Sequence, residues 1–501
     1  MLKLSQRDIR QGYRGVKHLA QRAAKKGDYE QAQEYVRHCA TIAQQFNWIY
    51  SDLELEDLLC QIAEQTLPGV PSPYEVNSNR VVLYDDFCTS FVLALQYVKA
   101  LVAAGKEILY ITHDVSKKGG KFVPILDTLR NFPNVTIVQI SGCSLREKQQ
   151  QIQQVILDFH PSQLLLHMYA HSSVVPVLYR LPKAIKSYII NLADQTFWLG
   201  AKAVDYVLEF RQFGVSVSQQ RRGIRPDQQL LIPFYPIVDN NPFQGFPPEC
   251  TAKDKVLIFS GGDIYKVLDE KRMYWHLVKE LLDRHPNVVF LFATKRNPYG
   301  LSVIEQFIKE NHFEGRFIYT PFRPDINEVL AHADIYMGTC PASGSLMSQL
   351  AARNATPILQ YYYPGTPDDE TEQSICVNEQ FPISFQTEEA FMEEADRLIH
   401  DVGYRHAQGE RLQRAMISEE QFNALVRQSL ATNQTQLKLQ PFTMDYQLLD
   451  ERWFALETTG NTNTMPYLYS LLGGKNCAFF APVLFFKKNL KRLFHHFVSP
   501  T

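Results

Sequence analysis

The stretch "GTCPASGSLMSQLAARNATPIL", Gly338 to Leu359, holds residue types that suit phosphate chemistry. An apolar run, "ADIYM", leads into it. Pro341 constrains the turn, and Ser343, Gly344 and Ser345 stand just before an amphipathic helix. A helix start leaves several backbone N–H groups unpaired and carries partial positive charge, so it attracts an anion. Gly344 has no Cβ to hold an anion away from the backbone, and the serine hydroxyls can donate to phosphate oxygens. The competing reading is structural, with a serine N-cap and a glycine that allows close packing.

Further polar residues occur at the ends of neighbouring apolar runs. "FSGGD" sets Gly261 and Gly262 directly after one run, without the spacing of a dinucleotide fingerprint. "FLFATKRN" puts Lys295 and Arg296 after the next, and "TPFRPDI" adds Arg323. "TPDDETEQ" supplies Asp368, Asp369 and Glu370, carboxylates that could grip ribose hydroxyls. Gly261, Gly262, Lys295, Arg323, Pro341, Ser343, Gly344, Ser345, Asp369 and Glu370 are therefore the candidate donor-binding set. Elsewhere "YITHD" places His113, and "LLLHMYAHSS" places His167 and His171, at comparable run ends. No cluster has metal-ligand spacing, so no metal is expected.

The elements that must position these residues follow from periodicity. Residues 1–66 read as helices only: Gly27 breaks one and Asp28 caps the next. One or two such hairpins cannot form a solenoid, so they read as a cap on the next domain or a partner-docking module. A Pro-rich linker, "LPGVPSPYEVNS", follows. Short apolar runs then alternate with single helices, which means βαβ units and a parallel sheet. "VDNNPFQGFPPECTAKD" interrupts this alternation, which then restarts. The expected fold is α/β: two doubly wound, Rossmann-like domains after a helical segment. The domains are placed at 79–238 and 253–436, with a C-terminal segment at 437–501. Ligands in such sheets sit outside the carboxyl ends of the strands.

Composition narrows the class. The 51 Lys and Arg against 53 Asp and Glu give a net charge of −2, so there is no global pull toward nucleic acid. Eight cysteines form no CxxC pair, which suits reduced thiols in the cytoplasm.

On the segment "RPDINEVLAHADIYMGTCPASGSLMSQLAARNATPIL", the chain resembles the GT-B glycosyltransferases, loosely the O-linked N-acetylglucosamine transferase group and its bacterial relatives. The resemblance spans residues 80–430 in architecture. It implies that the second domain holds a nucleotide sugar, a UDP-sugar, with no further cofactor. It also singles out "IINLADQTFWLGAKAVDYVLEFRQFG", Ile189 to Gly214, where bacterial relatives carry histidines flanking the Ala-Asp. Here those positions are Leu192 and Gln195, neither of which can take a proton. Asp194 and His113 are then the candidate catalytic bases. Phe197 and Trp198 are either sugar-stacking or core, and Arg211, Arg221 and Arg222 answer the acceptor or the diphosphate or are solvated.

The tail "FFAPVLFFKKNLKRLFHHFVSPT" follows the last acid of the chain, Glu457. Phe486, Leu490, Leu493, Phe494 and Phe497 recur at helical spacing, with Lys487, Lys488, Lys491, Arg492 and His495 opposite. That pattern suits a helix lying in an anionic membrane interface, or one docked on the first domain. The leading expectation is a metal-independent glycosyltransferase on the cytoplasmic face of the cell membrane. It would act in surface polysaccharide or glycoconjugate synthesis on a glycan, lipid-linked or protein acceptor. The alternative is a non-catalytic GT-B homologue that partners or chaperones a glycosyltransferase. A sugar-nucleotide epimerase ranks last, and inversion against retention stays open.

Overall fold

A computed structural model describes residues 5–87, 91–113, 124–238, 241–252, 254–295, 298–460, 464–480, 482 and 485. Three helices come first: α1 (Gln6–Lys25), α2 (Tyr29–Phe46) and α3 (Leu53–Thr66). Each starts where an oxygen-bearing side chain meets orphan amides. Ser5 and Asp8 form a capping box on α1, Asp28 accepts from the Gln31 amide, and Asp52 accepts from Glu54 and Leu55.

The first sheet is built from β1 (Asn77–Asp85), β2 (Glu107–His113), β3 (Val135–Ile140), β4 (Pro161–His167), β5 (Lys186–Ile190), β6 (Tyr206–Glu209) and β7 (Gln229–Leu231). Their order is β3-β2-β1-β4-β5-β6-β7, and every pairing is parallel. The connecting helices are α4 (Phe91–Ala103), α5 (Pro124–Leu129), α6 (Leu145–Phe159), α7 (Val175–Leu178) and α8 (Gln212–Arg221). Gly105, at φ +71°, ends the turn after α4 in the left-handed region that glycine tolerates.

The N-terminal helices share one apolar core with this sheet, in which Ile9, Val36 and Ile62 join Val82 and Leu164. Buried polar bonds fix the same contact. Glu56 on α3 accepts from the Gly200 amide at 2.6 Å and from the Tyr179 hydroxyl at 2.6 Å. The helical segment is therefore a fitted part of the first domain.

The second sheet comprises β8 (Val256–Gly261), β9 (Val288–Ala293), β10 (Phe317–Thr320), β11 (Ile335–Met337), β12 (Ile358–Tyr361) and β13 (Ser384–Phe385), in the order β10-β9-β8-β11-β12-β13. Its pairings are also all parallel. Its helices are α9 (Met273–Arg284), α10 (Pro298–Asn311), α11 (Ile326–His332), α12 (Ser345–Arg353), α13 (Glu372–Ile375), α14 (Glu388–His400) and α15 (Val402–Ala415). Both faces of the sheet are covered, which is why its strands read as unbroken apolar runs. Val288, Phe290 and Phe292 enter the core on one face, while Val289, Leu291 and Ala293 enter the other.

The described residues continue through α16 (Glu419–Thr432), α17 (Tyr446–Gly460) and α18 (Thr464–Phe480). Two compact units result: Met1–Ile232 with Asn423–Thr443 and Asp450–Thr501, and Pro233–Phe422 with Met444–Leu449. The sequence reading carried the second domain to residue 436. Instead α16 joins the first unit from Asn423, because Gln163 donates to the Leu430 carbonyl and Tyr188 to Asn433. Among the described residues no helix is long and apolar enough to cross a membrane. The basic tail pattern beyond residue 485 lies outside the described residues.

Candidate functional site

The Gly338–Ser345 corner lies where β11 hands over to α12. Gly338 allows a close approach that a side chain would forbid, since a Cβ there would sit 1.6 Å from the Gln360 amide oxygen. Gln360 in turn donates to the Thr339 carbonyl at 3.1 Å and holds the turn. The Cys340–Pro341 peptide is cis, and Pro341 is buried.

Helix α12 begins with Gly344 at its N-cap and no side-chain cap. The serine-cap reading therefore fails here, whereas α1, α2, α3, α6, α14 and α15 are all capped by side chains. The first-turn amides of Ser345, Leu346 and Met347 have no intrahelical acceptor, as helix geometry dictates. The amide of Ser343 is already used, donating to Asp369 at 2.9 Å.

A residue that the sequence reading passed over completes the corner. A short 3-10 turn, Ile264–Val267, follows β8 and carries Lys266. Its ammonium donates to the Ser343 carbonyl at 3.1 Å and stands 3.5 Å from where a Gly344 Cβ would be. Burial pulls the Lys266 pKa below the usual lysine range, with the Asp263 carboxylate opposing. A half-buried cation beside a helix start without a side-chain cap brings positive charge and backbone donors together. The signal was present in "DIYKVL", a lone lysine between the buried Ile264 and Val267, but nothing local ties it to residue 343.

The other donor candidates divide. Gly261 serves strand packing, with a Cβ position 2.9 Å from the Ala293 carbonyl, and Gly262 gives the Lys266 stem room. Lys295 is largely exposed and pairs with Asp263 at 3.2 Å. Glu370 accepts from Gln373 at 2.7 Å, so Asp369 and Glu370 line the loop after β12 beside the corner. Arg323 is corrected: it is buried, and both arms of its guanidinium go to Asp325 at 2.7 and 2.6 Å. It also faces Phe243 and Phe246, fixing that segment, so its charge is spent and not offered to a diphosphate. Arg296 lies outside the described residues. Exposed Phe322, Tyr265 and Leu346, at the carboxyl ends of β10, β8 and β11, add apolar surface that the sequence reading also missed.

The first domain holds two different arrangements. Asp194 is fully buried, and Arg211 forks both of its oxygens at 2.7 and 2.8 Å. Arg222 donates to the Asp194 and Thr196 carbonyls, and its guanidinium lies 5.1 Å from the Trp198 ring centroid. Asp194 as a base is thus corrected: a carboxylate with no exposed surface and a bidentate partner cannot reach an acceptor hydroxyl. Phe197 and Trp198 are buried as core, so sugar stacking falls to the same reason, and Arg211 and Arg222 are internal clamps.

The second arrangement gathers at the ends of β1, β2 and β4. His113 Nε2 lies 3.0 Å from Asp86 and 3.0 Å from the Tyr84 hydroxyl, which itself donates to Asp86 at 2.6 Å. The Asp86 carboxylate also accepts from the Tyr169 amide. His113 keeps 28% of its side-chain surface exposed. His167 is fully buried against Asp85 at 2.9 Å, and burial lowers the His171 pKa, with Arg37 assisting. Of the three histidines, His113 combines an orienting carboxylate with partial solvent access.

No protein-family model and no curated protein matches the chain. Solved structures do. A glycosyltransferase from Rickettsia africae aligns at 12% identity over 71% of this chain and 98% of its own, with a TM-score of 0.52. Anabaena HepE, crystallised with UDP and glucose, aligns at 12% identity over 71% of this chain and 100% of its own, with a TM-score of 0.50. With two wholly parallel, helix-covered sheets and an N-terminal helical segment, these likenesses give the chain the GT-B fold found in glycosyltransferases.

Proposed function

We propose that the protein is a glycosyltransferase that moves a sugar from a nucleotide-sugar donor, a UDP-sugar, to a glycan, lipid-linked or protein acceptor at the cytoplasmic membrane face. One observation carries the reading: the Lys266 ammonium stands 3.1 Å from the Ser343 carbonyl, at the uncapped start of α12. In this reading the donor diphosphate meets Lys266 and the first amides of α12. Gly344 lets the backbone approach, and Lys266 neutralises charge on the departing diphosphate. Phe322 offers an exposed ring to the base, and Glu370 a carboxylate to the ribose. His113, oriented by Asp86, takes the acceptor proton. That HepE was crystallised with UDP and glucose supports the choice of donor.

Calorimetric titration with UDP and GDP tests the donor half. The native chain should bind UDP, and Gly344→Val should lose it with an unchanged melting temperature. Undiminished affinity in that variant would remove the assignment. The sealed Asp194 favours a second reading, a non-catalytic partner of another glycosyltransferase. It gains if UDP binds while no UDP-sugar is consumed with any acceptor tried. Residues 483–501 supply the membrane contact in this proposal. Vesicle flotation without them should fall, and unchanged flotation would exclude them.

A further inference from the structure

The outward face of α1 carries a row of charge, of which Arg10 also acts on the half-buried Asp450 of α17. α1 holds six cations, Arg7, Arg10, Arg14, Lys17, Arg22 and Lys25, against one acid, Asp8, which is buried in the N-terminal capping box. Lys17 turns aside to Asp52 and Glu54, at 2.9 and 3.0 Å. At about 100° per residue, Arg7, Arg10, Arg14, Arg22 and Lys25 all fall within about 60° of one line along the helix. All five are exposed, and only His18, Gln11 and Gln21 share their face, so it contains no carboxylate. The opposite face, with Ile9, Val16, Leu19 and Ala20, is the buried one. Arg7, Arg10 and Arg14, with Gln6 and Gln11, line a concavity of about 420 Å³. The positive end of the helix dipole adds to the charge there. Helix α18, from which the chain runs into its acid-free basic tail, packs against α1.

We propose that this face of α1 docks on an anionic lipid surface, with phosphate headgroups against Arg7, Arg10, Arg14, Arg22 and Lys25. Charge complementarity selects the occupant. A chain of net charge −2 concentrates a row of cations on one helix face, and α18, packed on that helix, leads into a second basic segment. An anionic leaflet meets such a row as a continuous plane, and the attraction is screened by salt. The inference deepens the membrane part of the proposed function but stands on different residues from the tail.

Sedimentation of the full chain with phosphatidylcholine vesicles, with and without phosphatidylglycerol, tests it. The native chain should bind only the anionic vesicles and release them as salt rises. The variant Arg7→Gln/Arg14→Gln/Arg22→Gln/Lys25→Gln should bind them more than about a hundredfold more weakly, at roughly fivefold per cation removed. Native-like circular dichroism and UDP titration in that variant would show that fold and donor corner are intact. Lost UDP binding in the native chain would instead sink the donor reading alone. Residual anionic-vesicle binding after removal of 483–501, abolished by the fourfold substitution, supports two separate contacts. Native affinity in the fourfold variant overturns the proposal, as does a chain that binds a soluble polyanion such as polyphosphate but no vesicle.

Discussion

Two strand-end loops of the molecule are made of similar parts and end in opposite states. The loop after β5, around Asp194, meets two arginines and aromatic rings, and its carboxylate is closed by Arg211 while Arg222 is taken up by the Asp194 and Thr196 carbonyls. The loop after β11, around Gly344, gathers a lysine, serines and a helix start, and leaves the helix amides without a cap. The first arrangement holds a fold together, because a buried ion pair with its hydrogen bonds met has nothing left to bind. The second has a helix start that no side chain caps. Residue type alone does not separate these outcomes; the partner of each charge does.

The largest way to break the contrast is on the sealed side. Arg211→Ala leaves the Asp194 carboxylate buried and unpaired, and is expected to cost about 3–5 kcal/mol of unfolding free energy. The double change Arg211→Met with Asp194→Leu should recover much of that. Chemical denaturation midpoints measure both. Asp194→Asn that kept full stability and lost only turnover would restore Asp194 as a base.

On the open side the expected signature is reversed. Lys266→Ala should weaken UDP binding by about tenfold to a hundredfold, the range of a hydrogen bond to a charged group, while the melting temperature barely moves. The lowered pKa of Lys266 sharpens this. Only the protonated amine attracts a diphosphate, so UDP affinity is full below the Lys266 pKa and declines as pH rises through it. That decline should begin at lower pH than for an ordinary lysine, and should vanish in Lys266→Ala. Titrations at a series of alkaline pH values decide.

The sequence exposed much of this. Because the second sheet is covered on both faces, strands such as "VLIFSG" and "VVFLFA" stand out as apolar runs, and the doubly wound domains follow from the alternation of such runs with helices. The Gly344 corner was visible for the same local reason, a strand, a small-residue turn and a helix in one segment. What stayed hidden was long-range pairing. Arg323 sits at a strand end as expected, yet only the fold shows Asp325 and the Phe243–Phe246 segment using its charge. Lys266 and Ser343 are 77 residues apart, and their contact depends on β8 and β11 lying side by side.

Lys295 gives the smallest expected effect and the finest test of the comparison. It was read as a diphosphate partner because it follows β9 at the carboxyl end of the sheet. Its ammonium pairs with Asp263 at 3.2 Å, but 71% of its side-chain surface is exposed. An ion pair in that setting is worth about 0–1 kcal/mol, since water and salt screen it. Lys295→Ala should therefore change stability by less than about 0.5 kcal/mol and UDP affinity by less than about threefold. Its removal also frees Asp263, the carboxylate that opposes the lowering of the Lys266 pKa. Asp263 can then lean further toward Lys266, so the alkaline decline in UDP affinity should move slightly upward in pH. A loss comparable to that of Lys266→Ala would instead place Lys295 on the diphosphate and widen the open corner to the end of β9.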